Sequence, residues 1–444
     1  MRCMSPLVLT LSLLLAAPAP GSSAPSELII LLLVDAMRPD HLGAYGYDRP
    51  TSPNIDAIAQ NARVFEHVYA NAPWTRPSTA SFLTGLNASR HRTETEDSKL
   101  PADVVTLAQR AKQAGYATAG FTANGNGGSL AGLERGFDRF EDPTNTYTKK
   151  VRGETYNGLP TGEFIIDKVL RYLGKSAAQK QLVFVFLVDP HDPYAAPPRL
   201  EKMFLDPSYT GPVRRHALWE TNNSYPEAER RSMMAVYDAG IRYADEAIGQ
   251  LKAGLERLGV YDRTTLLISA DHGEGFGEHG FYLHAHQFWD EVVRIPLIAK
   301  GPRFAPGRDT RLAQTIDVSA SIAELAGAEH GDLLGASLLT PGTDREHVIS
   351  EYNEFGIHRQ AITDGRYKVI WQRPADEAWF LRTAKKKEFF PSVSFDRDVV
   401  RVFDLQEDPG ERRDLSAAMP AAASALLVEL QTFVGSAHAQ AQSR

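Results

Sequence analysis

The chain has 444 residues, of which 43% are hydrophobic and 23% charged, and its formal net charge is -7. This composition excludes wholesale disorder and fibrous structure, and the negative charge argues against a nucleic-acid-binding protein. Cys3 is the only cysteine, which excludes an internal disulfide, a zinc–cysteine cluster and an iron–sulfur cluster.

Residues 1–24 have the pattern of a secretory signal peptide. Arg2 supplies a positive charge, Leu7–Ala17 is an apolar run, and small residues follow it. The run is shorter than the ~20 residues that span a membrane. We therefore expect an exported protein, periplasmic or extracellular, without a stable membrane span once the signal is cleaved. An uncleaved N-terminal anchor is the alternative.

Strand and helix patterns alternate over most of the remaining chain. Continuous apolar runs predict buried strands at Glu27–Val34, Ala117–Thr122, Gln181–Val188, Thr264–Ser269 and Pro296–Lys300. Periodic apolar positions predict helices at Asn54–Arg63, Ala102–Ala114, Glu163–Tyr172 and Pro226–Leu258, with an irregular excursion at Pro198–Tyr225. This alternation predicts an α/β fold with a large, mostly parallel central sheet flanked by helices.

The sequence changes in character after about Leu339. Short stretches of alternating polar and apolar residues follow, and Ala421–Val434 is a helical run. These patterns predict a smaller C-terminal antiparallel sheet plus a terminal helix. We therefore divide the mature chain into an α/β domain at residues 27–340 and a C-terminal subdomain at residues 341–444.

Three of the predicted strands end in aspartate or histidine. Asp35 follows the first strand, Asp189 and His191 follow the strand at Gln181–Val188, and Asp271 and His272 follow the next. In open α/β sheets, ligands bind beyond the carboxyl ends of the strands. We therefore expect these side chains to converge on one metal-binding or acid–base site.

The segment APWTRPSTASFLTG supplies a candidate hydroxyl group for the same site. Pro77 suits the first turn of a helix, which places Thr75 just before the helix start. Backbone N–H groups without partners and the positive end of the helix dipole lie there. The hydroxyl of Thr75 is therefore either an N-cap or an activated nucleophile.

In this order along the chain, these motifs resemble the sulfatase family of the alkaline phosphatase superfamily. The resemblance extends from Glu27 to about Leu415. Its matching segments are VDAMRPDHLGAYGYDRPTSPNID, APWTRPSTASFLTG, FLVDPHDPY, YDAGIRYADEAIG, SADHGEGFGEHG, HAHQFWDEVVRIPLI and FDLQEDPGERRDL. The resemblance implies an alkaline-phosphatase-like fold in which residues 27–340 are the catalytic domain.

The resemblance also implies roles for individual residues. Asp35, Asp271 and His272 match the metal ligands, and Thr75 matches the nucleophile, which also contacts the metal.

Further matching positions concern the substrate. His191 matches the histidine that contacts the ester or its leaving group. His284 and His286 lie where the family places a basic residue that binds the transferred group, and the sequence leaves open which of them does so. Arg76, beside the nucleophile, is a further candidate for substrate binding.

Several positions depart from the family pattern. Sulfatases oxidise a cysteine or serine to formylglycine at the position of Thr75, and threonine cannot form that aldehyde. Thr79 replaces the arginine of the motif, Ala36 replaces the second acid of an Asp-Asp pair, and His272 replaces an asparagine. We therefore expect no formylglycine and one divalent metal ion. Zinc or manganese is favoured because nitrogen joins the oxygen ligands, and calcium is the alternative.

Two-zinc relatives carry Asp-x-x-x-His where this chain has Asp189 and Pro193. One metal is therefore favoured, and a second site built from Asp189, His284 or His286 stays open.

These expectations describe a metal-dependent hydrolase of phosphate, phosphonate or sulfate esters that forms a covalent intermediate on Thr75. The substrate would be a small-molecule, glycan or lipid ester. The alternatives are a sulfuric ester hydrolase working without formylglycine, a phospho-group transferase to a glycan or lipid, and a non-catalytic binding relative.

Overall fold

The computed structural model describes residues 27–144, 155–156, 159–176, 180–216, 225–340, 345–383 and 393–442. The expected signal peptide at residues 1–24 lies outside the described residues. Among the residues that are described, we find no helix with the length and apolar character needed to cross a membrane.

An eight-stranded sheet forms the centre of the fold. Its strands are β1 Glu27–Val34, β2 Arg63–Tyr69, β3 Ala117–Thr122, β4 Arg139–Glu141, β5 Lys180–Leu187, β6 Thr264–Ser269, β7 Arg294–Lys300 and β8 Gly307–Gln314. They lie in the order β8-β2-β7-β6-β1-β5-β3-β4. Only β7 runs antiparallel to its neighbours in this sheet, which confirms the predicted mostly parallel arrangement.

Helices flank this sheet, and the last two helices pack with the C-terminal sheet described below. The helices of the described residues are α1 Pro53–Ala59, α2 Thr75–Thr84, α3 Ala88–His91, α4 Leu107–Gln113, α5 Gly162–Leu173, α6 Pro198–Phe204, α7 Glu227–Arg257, α8 Asp290–Val293, α9 Thr315–Ala326, α10 Glu377–Thr383 and α11 Ala421–Gln442. Helix α6 lies within the excursion expected to be irregular at Pro198–Tyr225, where its leading prolines suit the first turn of a helix.

The continuous apolar runs explain the middle of the sheet. Strands β1, β5 and β6 lie side by side, and the side chains of β1 after Glu27 are all buried. Strands covered on both faces need apolar residues at successive positions. This is why β1, β3 and β6 have the bounds predicted from the sequence.

A smaller antiparallel sheet follows, as predicted. It contains β9 Val348–Glu354, β10 Ile357–Thr363, β11 Tyr367–Gln372 and β12 Val399–Asp404, paired in chain order. One face packs against α11 through Val369 and Leu430. The other face packs against Phe288 and Trp289, so this sheet supports the segment that carries His284 and His286.

Candidate active site

Asp35, Asp271 and His272 form a compact, fully buried group at the carboxyl edge of the sheet. Asp35 follows β1 and Asp271 follows β6, and the parallel pairing of these strands brings both residues to the same place. Each of the three side chains offers one ligand atom, and these atoms lie within 4.8 Å of one another. Nε2 of His272 is 3.3 Å from Oδ2 of Asp271 and 3.6 Å from Oδ1 of Asp35.

The hydrogen bonds of the two carboxylates leave one oxygen of each facing the group. Oδ2 of Asp35 accepts from the side chain of Asn124 at 2.8 Å. Oδ1 of Asp271 accepts from the backbone N–H groups of Ala36 and His272 at 3.2 and 3.0 Å. Oδ1 of Asp35 and Oδ2 of Asp271 have no hydrogen-bond partner among the described residues. Buried carboxylate oxygens of this kind suit a cation.

The tautomer of His272 fits the same role. Nδ1 lies 2.8 Å from the carbonyl oxygen of Gly273. Because a carbonyl oxygen only accepts hydrogen bonds, Nδ1 carries the proton and donates it. Nε2 therefore presents a lone pair to the two aspartates, as a metal-ligating histidine does.

Burial shifts the pKa values of this group strongly. It raises the pKa of Asp35 to about 8, and the nearby carboxylate of Glu274 adds to the rise. Burial and the charge of Asp35 raise the pKa of Asp271 to about 7. Burial also lowers the pKa of His272 to about 3, so this ring is neutral. A divalent cation would favour the ionised carboxylates and the neutral imidazole, so these residues fit a metal ion.

Thr75 lies beside the group at the start of α2. The helix begins at Thr75 itself, with Trp74 as its N-cap, so the threonine is the first helical residue and does not precede the helix. Its Oγ1 is 3.3 Å from Nε2 of His272, and the residue is 4% exposed. Ser78 ties the helix to the same strand end, because its hydroxyl donates to the carbonyl of Asp271 at 2.6 Å.

Two further histidines extend the group toward solvent. The ring of His284 lies 4.2 Å from that of His272, centroid to centroid, and 5.1 Å from that of His191. Nδ1 of His284 and Oε1 of Glu274 form a hydrogen bond of 2.9 Å. His191 is half-buried. The structure therefore brings His191 and His284 to the metal-type cluster.

His286 lies on a different side of its segment. Its ring contacts Phe281 at 4.8 Å and Tyr352 at 6.4 Å, both centroid distances. In an extended strand, residues two apart share a face. Ala285 has φ 99° and breaks that pattern, so His284 and His286 diverge.

Arg76 and Asp189 have partners of their own. The guanidinium of Arg76 donates to the carbonyl of Ser98 at 2.9 Å and to the side chain of Asn126 at 2.8 Å. Both carboxylate oxygens of Asp189 accept from the backbone N–H of Gly162 at 3.0 Å, at the start of α5. Burial raises the pKa of Asp189 to about 7. Asp189 therefore stabilises a helix terminus at the same edge.

Sequence reasoning missed Asn124 and Glu274. Asn124 lies just beyond β3, so it carries the same strand-end pattern that identified Asp35. Glu274 follows His272 by two residues, and nothing in its spacing shows that it orients His284. Thr79, at the position of the motif arginine, is buried, and its hydroxyl has no hydrogen-bond partner among the described residues.

Comparison with known proteins identifies the family to which this chain belongs. The sulfatase family model matches residues 27–328. A choline-sulfatase of Rhizobium meliloti (strain 1021) is 24% identical over 435 residues, which cover 87% of this chain and 82% of that protein. The Delta 4,5-hexuronate-2-O-sulfatase of Bacteroides thetaiotaomicron is 23% identical over 445 residues, which cover 91% of this chain and 87% of that protein.

A solved structure shows the same fold. The phosphonate monoester hydrolase of Agrobacterium radiobacter superposes with a TM-score of 0.72 at 19% identity, covering 93% of this chain and 96% of that one. The family match covers more than half of the chain, and the protein therefore belongs to the sulfatase family, a group of ester-bond hydrolases within the alkaline phosphatase superfamily.

Proposed function

We propose that this protein is an exported, metal-dependent hydrolase of phosphate esters, with phosphonate and sulfate esters as related substrates, and that Thr75 is its nucleophile. One observation carries the proposal: the hydroxyl of Thr75 lies 3.3 Å from Nε2 of His272, at the N-terminus of α2. A hydroxyl beside a candidate metal ligand and a helix N-terminus has both a route to activation and a place for an anion.

The chemistry of threonine favours phosphoryl over sulfuryl transfer. Formylglycine releases sulfate by elimination from a hemiacetal, and a threonine side chain has no such route. A sulfate ester on Thr75 would need attack by water at sulfur, which is slow. A phosphate ester on Thr75 is open to attack by activated water at phosphorus.

The candidate ligand set indicates the kind of metal. Asp35, Asp271 and His272, together with Thr75, offer oxygen and nitrogen donors, which suit zinc or manganese better than calcium. A divalent ion held there would lower the pKa of the Thr75 hydroxyl and polarise an oxygen of the ester.

The remaining residues supply binding and proton transfer. The hydroxyl of Thr75 loses its proton to solvent as Oγ1 attacks phosphorus, a new oxygen–phosphorus bond forms, and the bond to the leaving oxygen breaks. His191, half-buried at the edge of the cluster, donates a proton to that leaving oxygen. His284, whose ring is oriented by its hydrogen bond with Glu274, contacts the transferred group. Water then attacks phosphorus, which releases phosphate and restores the hydroxyl.

A sulfuric ester hydrolase that works without formylglycine is the second candidate. The observation that favours it is the sulfatase activity named for the relatives from Rhizobium meliloti and Bacteroides thetaiotaomicron. The two candidates share the site and differ in the atom that Thr75 attacks.

A substrate screen separates them. The wild type and Thr75→Ala would be assayed with p-nitrophenyl phosphate, bis-p-nitrophenyl phosphate, a p-nitrophenyl phosphonate and p-nitrophenyl sulfate, each with zinc, manganese and calcium. We expect release of p-nitrophenol from the phosphorus esters by the wild type alone. Release only from the sulfate would select the second candidate. Release from no ester, with metal bound, would favour a binding relative over either enzyme.

A further inference from the structure

A cavity lies behind the segment that carries His284 and His286. It lies between this segment and the C-terminal sheet and opens to solvent. The polar residues that line it are Gln287, Arg359, Gln372 and Arg401. This cavity is distinct from the aspartate–histidine group, whose residues do not line it.

Arg359 is buried in the wall of this cavity and is only 5% exposed. Its guanidinium donates to the carbonyl oxygen of His286 at 2.6 Å and to the side-chain oxygen of Gln372 at 2.5 Å. Both acceptors are neutral. A buried cation ordinarily has an acidic partner, because neutral acceptors only partly offset the loss of hydration.

Arg401 adds a second cation to the same cavity. It is half-buried, and its guanidinium carbon lies 5.9 Å from the centre of the Trp289 ring. Within the described part of the chain, neither Arg359 nor Arg401 forms an ion pair with a carboxylate. Burial, together with the charge of Arg401, lowers the pKa of Arg359 to about 10.

A neighbouring lysine is a buried cation with acidic partners, which the two arginines lack. Lys368 on β11 is 1% exposed, and its ammonium group contacts the carboxylates of Asp290 and Glu411. The same sheet therefore neutralises one buried cation with acids and leaves the two arginines without them. The uncompensated charges face a cavity, which is where a bound anion would lie.

We propose that Arg359 and Arg401 bind a compact oxyanion in this cavity. The planar guanidinium fork matches the paired oxygens of a sulfate, phosphate or carboxylate. The oxyanion could come from two sources: it is either the inorganic ion released by hydrolysis or an anionic group elsewhere on the substrate. Because Arg359 also holds the carbonyl of His286, the bound anion would stiffen the segment that presents His284 to the active site.

Binding is tested on the full chain by calorimetric titration with sodium sulfate and sodium phosphate at constant ionic strength. Arg401→Gln is the test variant, because Arg359→Gln would also release the carbonyl of His286. Arg413→Gln is the matched control, since it removes the same charge from an exposed position. We expect Arg401→Gln to weaken binding about tenfold or more and Arg413→Gln to leave it unchanged. Equal affinities in all three proteins, or no binding to the wild type, would overturn the proposal.

A kinetic experiment identifies the source of the anion. It depends on the proposed hydrolase activity. The substrates are p-nitrophenyl phosphate and an aryl phosphate with an additional carboxylate. If Arg401→Gln raises KM only for the carboxylated ester, the cavity binds a substrate group. If KM is unchanged for both esters while inorganic oxyanion binding is lost, the cavity binds the released ion. Absence of all turnover would count against the proposed function and leave the titration to decide this inference.

Discussion

Nε2 of His272 and the hydroxyl of Thr75 lie 3.3 Å apart, although the two residues are separated by 197 positions in the sequence. The contact joins the end of β6 to the first residue of α2. It brings the proposed nucleophile into contact with a candidate metal ligand and with the positive end of a helix dipole.

Asp271→Asn should lower metal affinity by one to two orders of magnitude or more, because it removes a charged ligand atom that faces Asp35 and His272. Asp189→Asn is the matched control. Asp189 is a buried aspartate at the same sheet edge, but its oxygens bind the start of α5. Metal content of the purified proteins measures both effects. Equal metal content in Asp271→Asn and wild type would show that Asp271 is not a metal ligand.

Glu274→Gln should lower kcat about ten- to a hundredfold, because the carboxyl group of Glu274 fixes the orientation and the tautomer of the His284 ring. Glu291→Gln provides the comparison. It changes a similar carboxylate–histidine contact, 2.7 Å between Glu291 and His279, and that ring stacks on Trp289 outside the cluster. Steady-state kinetics should show a loss for the first variant only. Comparable losses in both would mean that Glu274 acts through general stability.

His91 should make the free energy of unfolding depend on pH. Its Nδ1 accepts from the backbone of Thr93 and its Nε2 contacts the carbonyl of Pro77, so the buried ring must be neutral. Burial lowers its pKa to about 3, whereas the unfolded value is about 6.5. The stability that the neutral ring contributes is present above pH 6.5 and is lost as the pH falls toward 3.

The measurement is denaturant unfolding of wild type and His91→Gln at pH 7 and pH 5. The difference in unfolding free energy between the two proteins should shrink by about 2 kcal/mol at the lower pH. Titration of all other groups is common to both proteins and cancels. A constant difference would show that His91 does not carry this dependence.

Lys368→Met should destabilise the packing of the C-terminal sheet by about 3–5 kcal/mol, because it leaves the buried carboxylate of Glu411 without its cation. Arg366→Gln, next to the start of the same strand, removes a 3.5 Å contact between a largely exposed guanidinium and Asp404, and it should lower the melting temperature much less. Thermal unfolding compares the two variants. Similar melting temperatures for both would contradict the structural role of Lys368.

The middle of the fold was predictable because burial on both faces leaves an unambiguous pattern. Strands β1, β3 and β6 are continuous apolar runs and have the predicted bounds. Charged residues interrupt strand β2 (RVFEHVY) and the edge strand β8 (GRDTRLAQ), so no apolar run identified these strands. Their places in the sheet depend on pairing with each other and with β7.

The strand ends also identified Asp35, Asp271 and His272, because parallel strands bring their carboxyl ends together. The sequence did not predict which of His284 and His286 lies beside this group, because the answer depends on backbone geometry that residue spacing does not encode. The positive φ of Ala285 turns the two rings apart. Glu274 became visible only through its contact with His284.

Mass spectrometry can show whether Thr75 carries the transferred group. Wild type and Thr75→Ala would be quenched in acid during turnover of p-nitrophenyl phosphate. We expect the peptide containing Thr75 to gain the mass of one phosphoryl group in the wild type. The variant peptide should stay unmodified, and the variant should lose at least about a thousandfold in activity. Full turnover by Thr75→Ala, or a phosphoryl group on another residue, would show that Thr75 is not the nucleophile.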